Sequence, residues 1–222
     1  MINDHQERYV PVDHQPRRQD RRRNTAIIAA HMRMTVFSTP ILTPLLRLIS
    51  IVLLKLIGWK VRGKELEIQR CVLIGAPHTS NWDFPIMILG VLKLRLEVFW
   101  MGKHTLFPFP VGWLMKWLGG IPIDRNSPHN VVNEIVRQCR DNEELIVLIP
   151  PEGTRSKVVH WKTGFYHIAH MAEVPILLGY IDAANKEAGI ADFFSPTGNL
   201  QEDMQQIRGF YADKKGLNVE NS

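Results

Sequence analysis

The chain has 222 residues, of which 45% are hydrophobic and 22% are charged, and its net charge at neutral pH is +5. This composition excludes an intrinsically disordered protein, and the length predicts one α/β domain with an appendage. Cys71 and Cys139 are far apart in the chain. Their spacing excludes a disulfide framework and a zinc cluster as organising features, and it indicates a reducing, cytoplasmic environment.

Residues 1–24 are predicted to form a basic flexible arm. Its segment "RRQDRRR" carries five arginines and one aspartate, a charge run that attracts phosphates on nucleic acid or anionic lipid. A solvated tail without a specific partner is the alternative. The arm has no interleaved aromatic residues and no recognisable nucleic-acid-binding domain, so no nucleic acid partner is predicted.

Residues 25–60 are predicted to form one or two membrane-associated helices, broken at Pro40 and Pro44. The apolar stretch 41–59 falls short of the roughly 20 uncharged residues that a membrane-spanning helix needs. Its polar and small residues share one narrow face of a helix, with leucine, isoleucine and valine around the remainder. This pattern predicts a helix in the membrane interface with its cations towards the lipid headgroups; a helix buried in the protein core with one solvated edge is the alternative. The narrow face consists of Arg47, Ser50, Lys55 and Gly58.

Strands and helices alternate along the rest of the chain. This order predicts an α/β fold with a mixed, mostly parallel sheet flanked by helices on both faces. The predicted strands are "RCVLIGAP", "RLEVFWMGK", "GIPID", "LIVLIP" and "VPILLGYID". The predicted helices are 82–93, a short helix within "FPFPVGWLMKWLG", and the segments "SPHNVVNEIVRQCRDNEE", "KTGFYHIAHMAE" and "NLQEDMQQIRGFYADKKG".

Three polar clusters each follow the last residue of a predicted strand. In open α/β sheets, ligands bind outside the carboxyl ends of the strands, so the clusters are expected to meet at one site. The clusters are His78 with Asp83, Asp124 with Arg125, and the segment from Glu152 through Gly153 and Thr154 to Arg155.

His78 and Asp83 have the chemistry of a general-base pair. An imidazole takes a proton from a hydroxyl near neutral pH, and a carboxylate holds the ring in the required tautomer. The chain has no GxSxG motif, so the activated hydroxyl is expected to belong to a substrate. The alternatives are that Asp83 caps a helix and that His78 is a buried structural histidine.

Arg125 and Arg155, with backbone N–H groups around Gly153, are predicted to bind a phosphate, because guanidinium groups match phosphate oxygens. Glu152 is expected to order these arginines or to contact a substrate hydroxyl. The alternative is that these charged residues form structural ion pairs. No metal site is predicted, because the histidines lack ligands at a familiar spacing.

The motifs resemble those of the glycerolipid acyltransferase family, which includes the 1-acylglycerol-3-phosphate acyltransferases. "HTSNWD" is similar to the family's H-x4-D motif. "GGIPIDR", "PEGTRS" and "VPI" resemble its second, third and fourth blocks, in the expected order.

The resemblance implies transfer of a fatty acyl group from acyl-CoA or acyl carrier protein, with no cofactor, to a hydroxyl of a lysophospholipid such as 1-acylglycerol-3-phosphate. His78 would be the general base and Asp83 its partner, while Arg125 and the group Glu152, Gly153, Thr154 and Arg155 would bind the acceptor's glycerophosphate. Residues 61–222 would form the acyltransferase domain, bound through membrane lipid to the cytoplasmic face of the cell membrane. A non-catalytic, membrane-tethered lipid-binding protein of the same fold is the alternative, although such a protein has no need of a paired base.

Overall fold

The computed structural model describes residues 34–63, 70–123 and 128–221. The predicted basic arm, 1–24, lies outside the described residues. The helices are α1 Leu42–Leu56, α2 Asp83–Leu94, α3 Val111–Trp117, α4 Pro128–Asp141, α5 Gly164–Ala172 and α6 Leu200–Tyr211. The strands are β1 Lys60–Arg62, β2 Arg70–Ala76, β3 Val98–Lys103, β4 Gly120–Ile123, β5 Leu145–Ile149, β6 Ile176–Asp182 and β7 Glu187–Phe194. Two short 3₁₀ helices lie at His104–Leu106 and Val219–Asn221.

The strands form one seven-stranded sheet in the order β1-β7-β6-β2-β5-β3-β4. Neighbouring strands are parallel except for β6 and β7, which are antiparallel. The sheet is therefore mixed and mostly parallel, and the predicted fold class is confirmed.

Strand β2 lies inside the sheet and is buried on both faces, as expected for a parallel strand covered by helices. Val72 and Ile74 pack into a core with residues of α4, α5 and α6. Cys71 and Leu73 point to the opposite face and pack with Val91 of α2. The alternation arises because successive side chains of a strand point to opposite faces.

Two strands at one side of the sheet, β1 and β7, were not predicted from the sequence. β1 has only three residues, and β7 contains Glu187, Gly189 and Asp192, residue types that are depleted in strands. β7 forms because it follows β6 through a short turn and pairs with it along most of its length. β1 depends on a partner far away in the sequence, because it pairs with β7.

Helix α1 is continuous from Leu42 to Leu56 and carries Pro44 in its first turn, so the predicted break at Pro44 is wrong. Proline is tolerated there because the first N–H groups of a helix have no partner within the helix. Ser50 and Leu54 are buried, and Arg47 Nε donates to the carbonyl of Lys93 at 3.3 Å.

The structure divides the predicted narrow polar face of α1, because Arg47 and Ser50 lie against the protein whereas Lys55 and Gly58 are exposed. Most of the large apolar side chains of α1 are exposed, although Leu54 is buried. This arrangement contradicts the alternative of a helix buried in the core with one solvated edge. The large apolar side chains of α1 exposed on its outward face are Leu45, Leu48, Ile49, Ile51, Val52, Leu53 and Leu56. Within the described ranges, no helix combines the length and the apolar character needed to cross a membrane.

Candidate active site

The candidate site lies where β2 and β5 end. The two strands are parallel neighbours, with Ile74 opposite Ile149. The turn 77–82 follows β2 and leads directly into α2, and the "PEGTRS" segment follows β5. The structure thereby brings two of the three predicted polar clusters to one edge of the sheet. Asp124 and Arg125 lie outside the described residues.

His78 and Asp83 meet across this turn. His78 Nδ1 is 3.0 Å from Asp83 Oδ2, and the side-chain exposure is 28% for the histidine and 4% for the aspartate. The same Oδ2 atom accepts hydrogen bonds from the backbone N–H groups of Thr79, at 2.7 Å, and Ser80, at 2.8 Å. The carboxylate is therefore fixed before any substrate binds, and the ring's Nε2 atom remains available for a hydroxyl proton.

Asp83 does not act as the N-cap of α2, which was the alternative prediction for this residue. Asp83 is the first residue of α2, and its side chain folds back onto N–H groups of the preceding turn. Local hydrogen bonds of this kind explain why an aspartate at this position closes a turn of only a few residues. The same contacts place the carboxylate beside the imidazole.

Glu152 lies in the loop after β5 and holds the turn 77–82 in place. Both of its carboxylate oxygens accept from the backbone N–H of His78, at 2.9 and 3.1 Å. Burial raises the pKa of Glu152 from 4.5 to about 7, against the opposing effect of the His78 N–H bond. The Glu152 side chain accepts hydrogen bonds from His78, and no ion pair joins it to Arg155 in the described part of the chain. It orients the backbone of the candidate base.

Arg155 and Thr154 are both exposed. Arg155 forms no ion pair with any residue that the structure describes. Its guanidinium group is therefore not held by a described carboxylate, in contrast to the predicted alternative of a structural ion pair. An exposed, uncompensated guanidinium group suits the recognition of a phosphate.

The backbone N–H of Gly153, which was predicted to bind phosphate, makes a hydrogen bond within the protein. Its φ of +67° is in the left-handed region, and its N–H donates to the carbonyl of Pro150 at 3.2 Å. That N–H therefore closes a turn. Lys162, which the sequence analysis missed, runs past this glycine, with its Cδ and Cε atoms 2.9 Å from the position of an added Cβ. A second cation thus accompanies Arg155, and no spacing rule in the sequence would have identified it.

A further contact that the sequence analysis missed comes from the segment after α6. The backbone N–H of Asn218 donates to Thr79 Oγ1 at 3.0 Å, and Asn221 Nδ2 lies 3.5 Å from the Thr79 carbonyl oxygen. Thr79, next to His78, is only 3% exposed. The turn is thus held by α2, by the loop after β5 and by the segment 215–221.

Comparison with known proteins places the chain among acyltransferases. Residues 58–178, more than half of the chain, match the family described as Acyltransferase. A 1-acyl-sn-glycerol-3-phosphate acyltransferase of Streptococcus pneumoniae is 29% identical over 107 residues, which cover 47% of this chain and 39% of the relative. The chloroplastic 1-acyl-sn-glycerol-3-phosphate acyltransferase BAT2 of Brassica napus is 30% identical over 106 residues, which cover 45% of this chain and 30% of the relative. The chain therefore spans less than half the length of these curated relatives.

A solved structure shows the same fold. The crystal structure of the 1-acyl-sn-glycerophosphate (LPA) acyltransferase PlsC from Thermotoga maritima aligns with a TM-score of 0.54 and covers 79% of this chain and 82% of its own. The sequence identity is 18%. The similarity at this level concerns the arrangement of the sheet and helices.

Proposed function

The chain belongs to the Acyltransferase family, and on that premise we propose that it is a glycerolipid O-acyltransferase. It moves a fatty acyl group from acyl-CoA or acyl carrier protein to a hydroxyl of a lysophospholipid such as 1-acylglycerol-3-phosphate. The observation that carries this proposal is the contact of 3.0 Å between His78 Nδ1 and an Asp83 oxygen that two backbone N–H groups hold in place. A protein that only bound lipid would have no need of an imidazole oriented by a carboxylate.

In the proposed reaction, His78 is the general base. The acceptor hydroxyl oxygen forms a bond to the thioester carbonyl carbon while His78 Nε2 takes the hydroxyl proton. Asp83 accepts from Nδ1–H and stabilises the imidazolium ion that results. The tetrahedral intermediate then collapses, the carbon–sulfur bond breaks, and the imidazolium returns its proton to the leaving thiolate. The products are an ester and a free thiol.

The acceptor's phosphate is proposed to bind at the loop after β5. Arg155 supplies an exposed guanidinium group, and the Lys162 chain passes over Gly153 in the same loop. Both cations are on the loop that also positions His78 through Glu152, so phosphate binding would place the acceptor near the base. Thr154, and Arg125 beyond the described residues, complete the proposed acceptor site.

The protein is further proposed to act at the cytoplasmic face of the cell membrane. The outward side of α1 is a continuous apolar surface, on which Leu48 is 60% and Leu56 is 76% exposed. An exposed helix face of this kind is typical of attachment to a lipid interface. A lysophospholipid acceptor would reach the site from the same membrane.

The decisive experiment is incubation of the protein with labelled acyl-CoA and a panel of lysophospholipids, followed by identification of the products. His78→Ala is expected to lower kcat by about 10²- to 10⁴-fold, because it removes a positioned general base. His170→Gln, which changes an exposed histidine of α5, is the matched control and should retain activity.

Vesicle binding and the thermal melting temperature should be unchanged in the His78→Ala protein. A wild-type protein that binds lysolipid without forming an ester would instead be a lipid-binding protein of the same fold. A normal kcat for the His78→Ala variant would show that His78 is not the general base. The family assignment would not be affected.

A further inference from the structure

A cavity of ≈ 370 Å³ lies between α1 and β1, beneath the outward face of α1. Its size falls within the range of small-molecule binding sites, about 300 to 1,000 Å³. None of the proposed catalytic or acceptor-binding residues contributes to its lining. The cavity is therefore distinct from the candidate active site.

Half of the residues that line the cavity are cationic, and the others are apolar. Four cationic side chains surround the cavity, two from the strand β1, one from α1 and one from α2: Lys60, Arg62, Lys55 and Lys93. Among the described residues, the carboxylate paired with this set is Glu187, whose Oε2 lies 3.0 Å from Arg62 Nε. The other oxygen of Glu187 accepts from the hydroxyl of Tyr180 at 2.7 Å. Glu187 therefore forms an ion pair with one of the four cations, and its carboxylate also attracts Lys60.

Lys55, Lys60 and Lys93 form no ion pair with any residue in the described part of the chain. Like charges gathered around one cavity repel each other, and the repulsion is relieved when an anion binds among them. A phosphate group is such an anion, and lysine is a common phosphate-binding residue.

The remaining lining is apolar and includes Ile51, Leu54 and Trp59. Ile51 and Lys55 lie one helical turn apart on α1, beside Leu48 and Val52 of its exposed face. The basic cavity is therefore continuous with the surface proposed to contact lipid. An inorganic phosphate would leave the apolar lining unused, whereas a phospholipid would contact it with its glycerol and first acyl carbons.

The sheet register places the cavity and the turn 77–82 at the same ends of the strands. Ala76 lies opposite Tyr180, Tyr180 opposite Gly189, and Gly189 opposite Arg62. Three strand spacings separate the backbones of Ala76 and Arg62, about 14 Å. A lipid held at the cavity would thus fix the distance between the bilayer surface and the candidate active site.

We propose that this cavity is a second lipid site, which binds the phosphate group of an anionic phospholipid between α1 and β1 and orients the protein on the membrane. The inference rests on the proposed membrane association, but it does not require the proposed catalytic chemistry. Lys55, Lys60 and Lys93 contact the phosphate, while Ile51 and Trp59 contact the apolar part of the lipid.

The test uses soluble short-chain lipids, so that binding does not depend on partition into a bilayer. Isothermal titration calorimetry of the full chain would compare dihexanoylphosphatidylglycerol, dihexanoylphosphatidylcholine and inorganic phosphate. The double variant Lys60→Gln with Lys93→Gln is expected to weaken phosphatidylglycerol binding about thirtyfold, at the usual contribution of each lysine near an anionic lipid. Lys60→Arg with Lys93→Arg should retain binding, which excludes misfolding as the cause.

Two controls define where the lipid binds. Arg95→Gln with Lys116→Gln removes the same charge at exposed positions outside the cavity and should leave the affinity unchanged. Arg155→Ala should also leave the affinity unchanged, since it alters the proposed acceptor site. If Arg155→Ala abolished binding instead, the lipid would occupy the acceptor site and the proposal would be wrong.

Ile51→Ala separates a lipid from a free anion. It is expected to weaken phosphatidylglycerol binding several-fold and to leave phosphate binding unchanged. Equal affinity for inorganic phosphate and phosphatidylglycerol would overturn the lipid assignment, as would equal binding of phosphatidylglycerol by the wild type and the Lys60→Gln, Lys93→Gln variant. His78→Ala should bind as the wild type does, so a failure of the catalytic proposal would not affect this result.

Discussion

At the scale of single residues, the candidate base is held by groups that differ in chemistry. Asp83 contacts the ring of His78, whereas Glu152 contacts its backbone N–H. A buried N–H without a partner would cost about 1 to 3 kcal/mol, so a carboxylate at position 152 stabilises the turn. The cost is that this carboxylate is itself largely removed from water.

The pKa of Glu152 makes the stability of the protein depend on pH. Burial raises its pKa from 4.5 to about 7, so the folded state binds the proton more tightly than the unfolded state does. The stabilisation from protonation is fully present below pH 4.5 and is lost as the pH rises through about 7. The difference between the two pKa values corresponds to about 3 kcal/mol.

Glu152→Gln is therefore expected to lose less stability than the wild type between pH 5 and pH 8.5, because glutamine keeps a carbonyl acceptor for His78 N–H without a charge. Thermal unfolding at the two pH values measures the effect. Glu143→Gln, at an exposed position, is the control and should follow the wild type. Parallel loss of stability in the wild type and Glu152→Gln would show that Glu152 does not titrate in this range.

At the scale of elements, the segment 215–221 connects parts that are distant in the sequence. Its Asn218 N–H donates to Thr79, and its Leu217 packs beside a cluster that contains Leu54 of α1 and Ile86 of α2. The segment therefore contacts both the turn beside the candidate base and the underside of the proposed membrane helix. Its side-chain packing and its hydrogen bond fix the same turn that Asp83 and Glu152 hold.

Thr79→Val is expected to lower kcat about tenfold with little change in KM, because it removes the acceptor for Asn218 N–H and loosens the turn that carries His78. Thr79→Ser keeps the hydroxyl and should restore most of the activity. Steady-state kinetics should be compared with the melting temperature, which a purely structural effect would lower in parallel.

The Thr79→Val and Thr79→Ser variants should also be compared in a chain shortened to residue 216. This chain lacks the Asn218 N–H that donates to Thr79, so it tests the proposed mechanism. Thr79→Val should have little further effect in that background. Equal kcat values for the valine and serine variants of the full chain would rule out a role for this hydrogen bond.

At the scale of the whole molecule, exposed apolar side chains extend beyond α1. Phe109 is 98% and Trp113 is 73% exposed, just before and within α3. Trp113 stacks on Trp117 at 6.3 Å, and the Trp117 indole N–H donates to Thr39 Oγ1 at 3.2 Å. Thr39 lies just before α1, so these contacts connect α3 with the start of α1. Aromatic side chains at such a surface suit the headgroup region of a bilayer.

Leu48→Gln with Val52→Gln is expected to reduce co-sedimentation with lipid vesicles by about 10- to 100-fold, because two exposed apolar side chains no longer enter the interface. The melting temperature should stay the same or rise, since 60% of Leu48 and 48% of Val52 are exposed to solvent. Arg47→Glu should instead lower the melting temperature, because Arg47 Nε donates a hydrogen bond to the Lys93 carbonyl. A Leu48→Gln, Val52→Gln protein that still sediments like the wild type would contradict attachment through α1.

The local features of the fold and of the candidate site could be predicted from the amino-acid sequence. Runs such as "CVLIG" specify buried strands because their apolar residues continue on both faces, and helix-period patterns specified α2, α4, α5 and α6. The proximity of His78 and Asp83 was also predictable, because the two residues lie five positions apart across one strand-to-helix turn. Such features depend on neighbours within a few residues, and the string of residues shows these directly.

Tertiary structure decided everything that depends on distant partners. The outward orientation of α1 follows from its packing on α2, since an amphipathic pattern alone does not say which face meets the protein. Strand β1 exists through its pairing with β7, far along the chain, and Glu152 reaches His78 N–H from 74 residues away. Asn218 reaches Thr79 from 139 residues away. No local pattern encodes these contacts, because they form only when the folded sheet brings the ends of β2, β5 and β6 together.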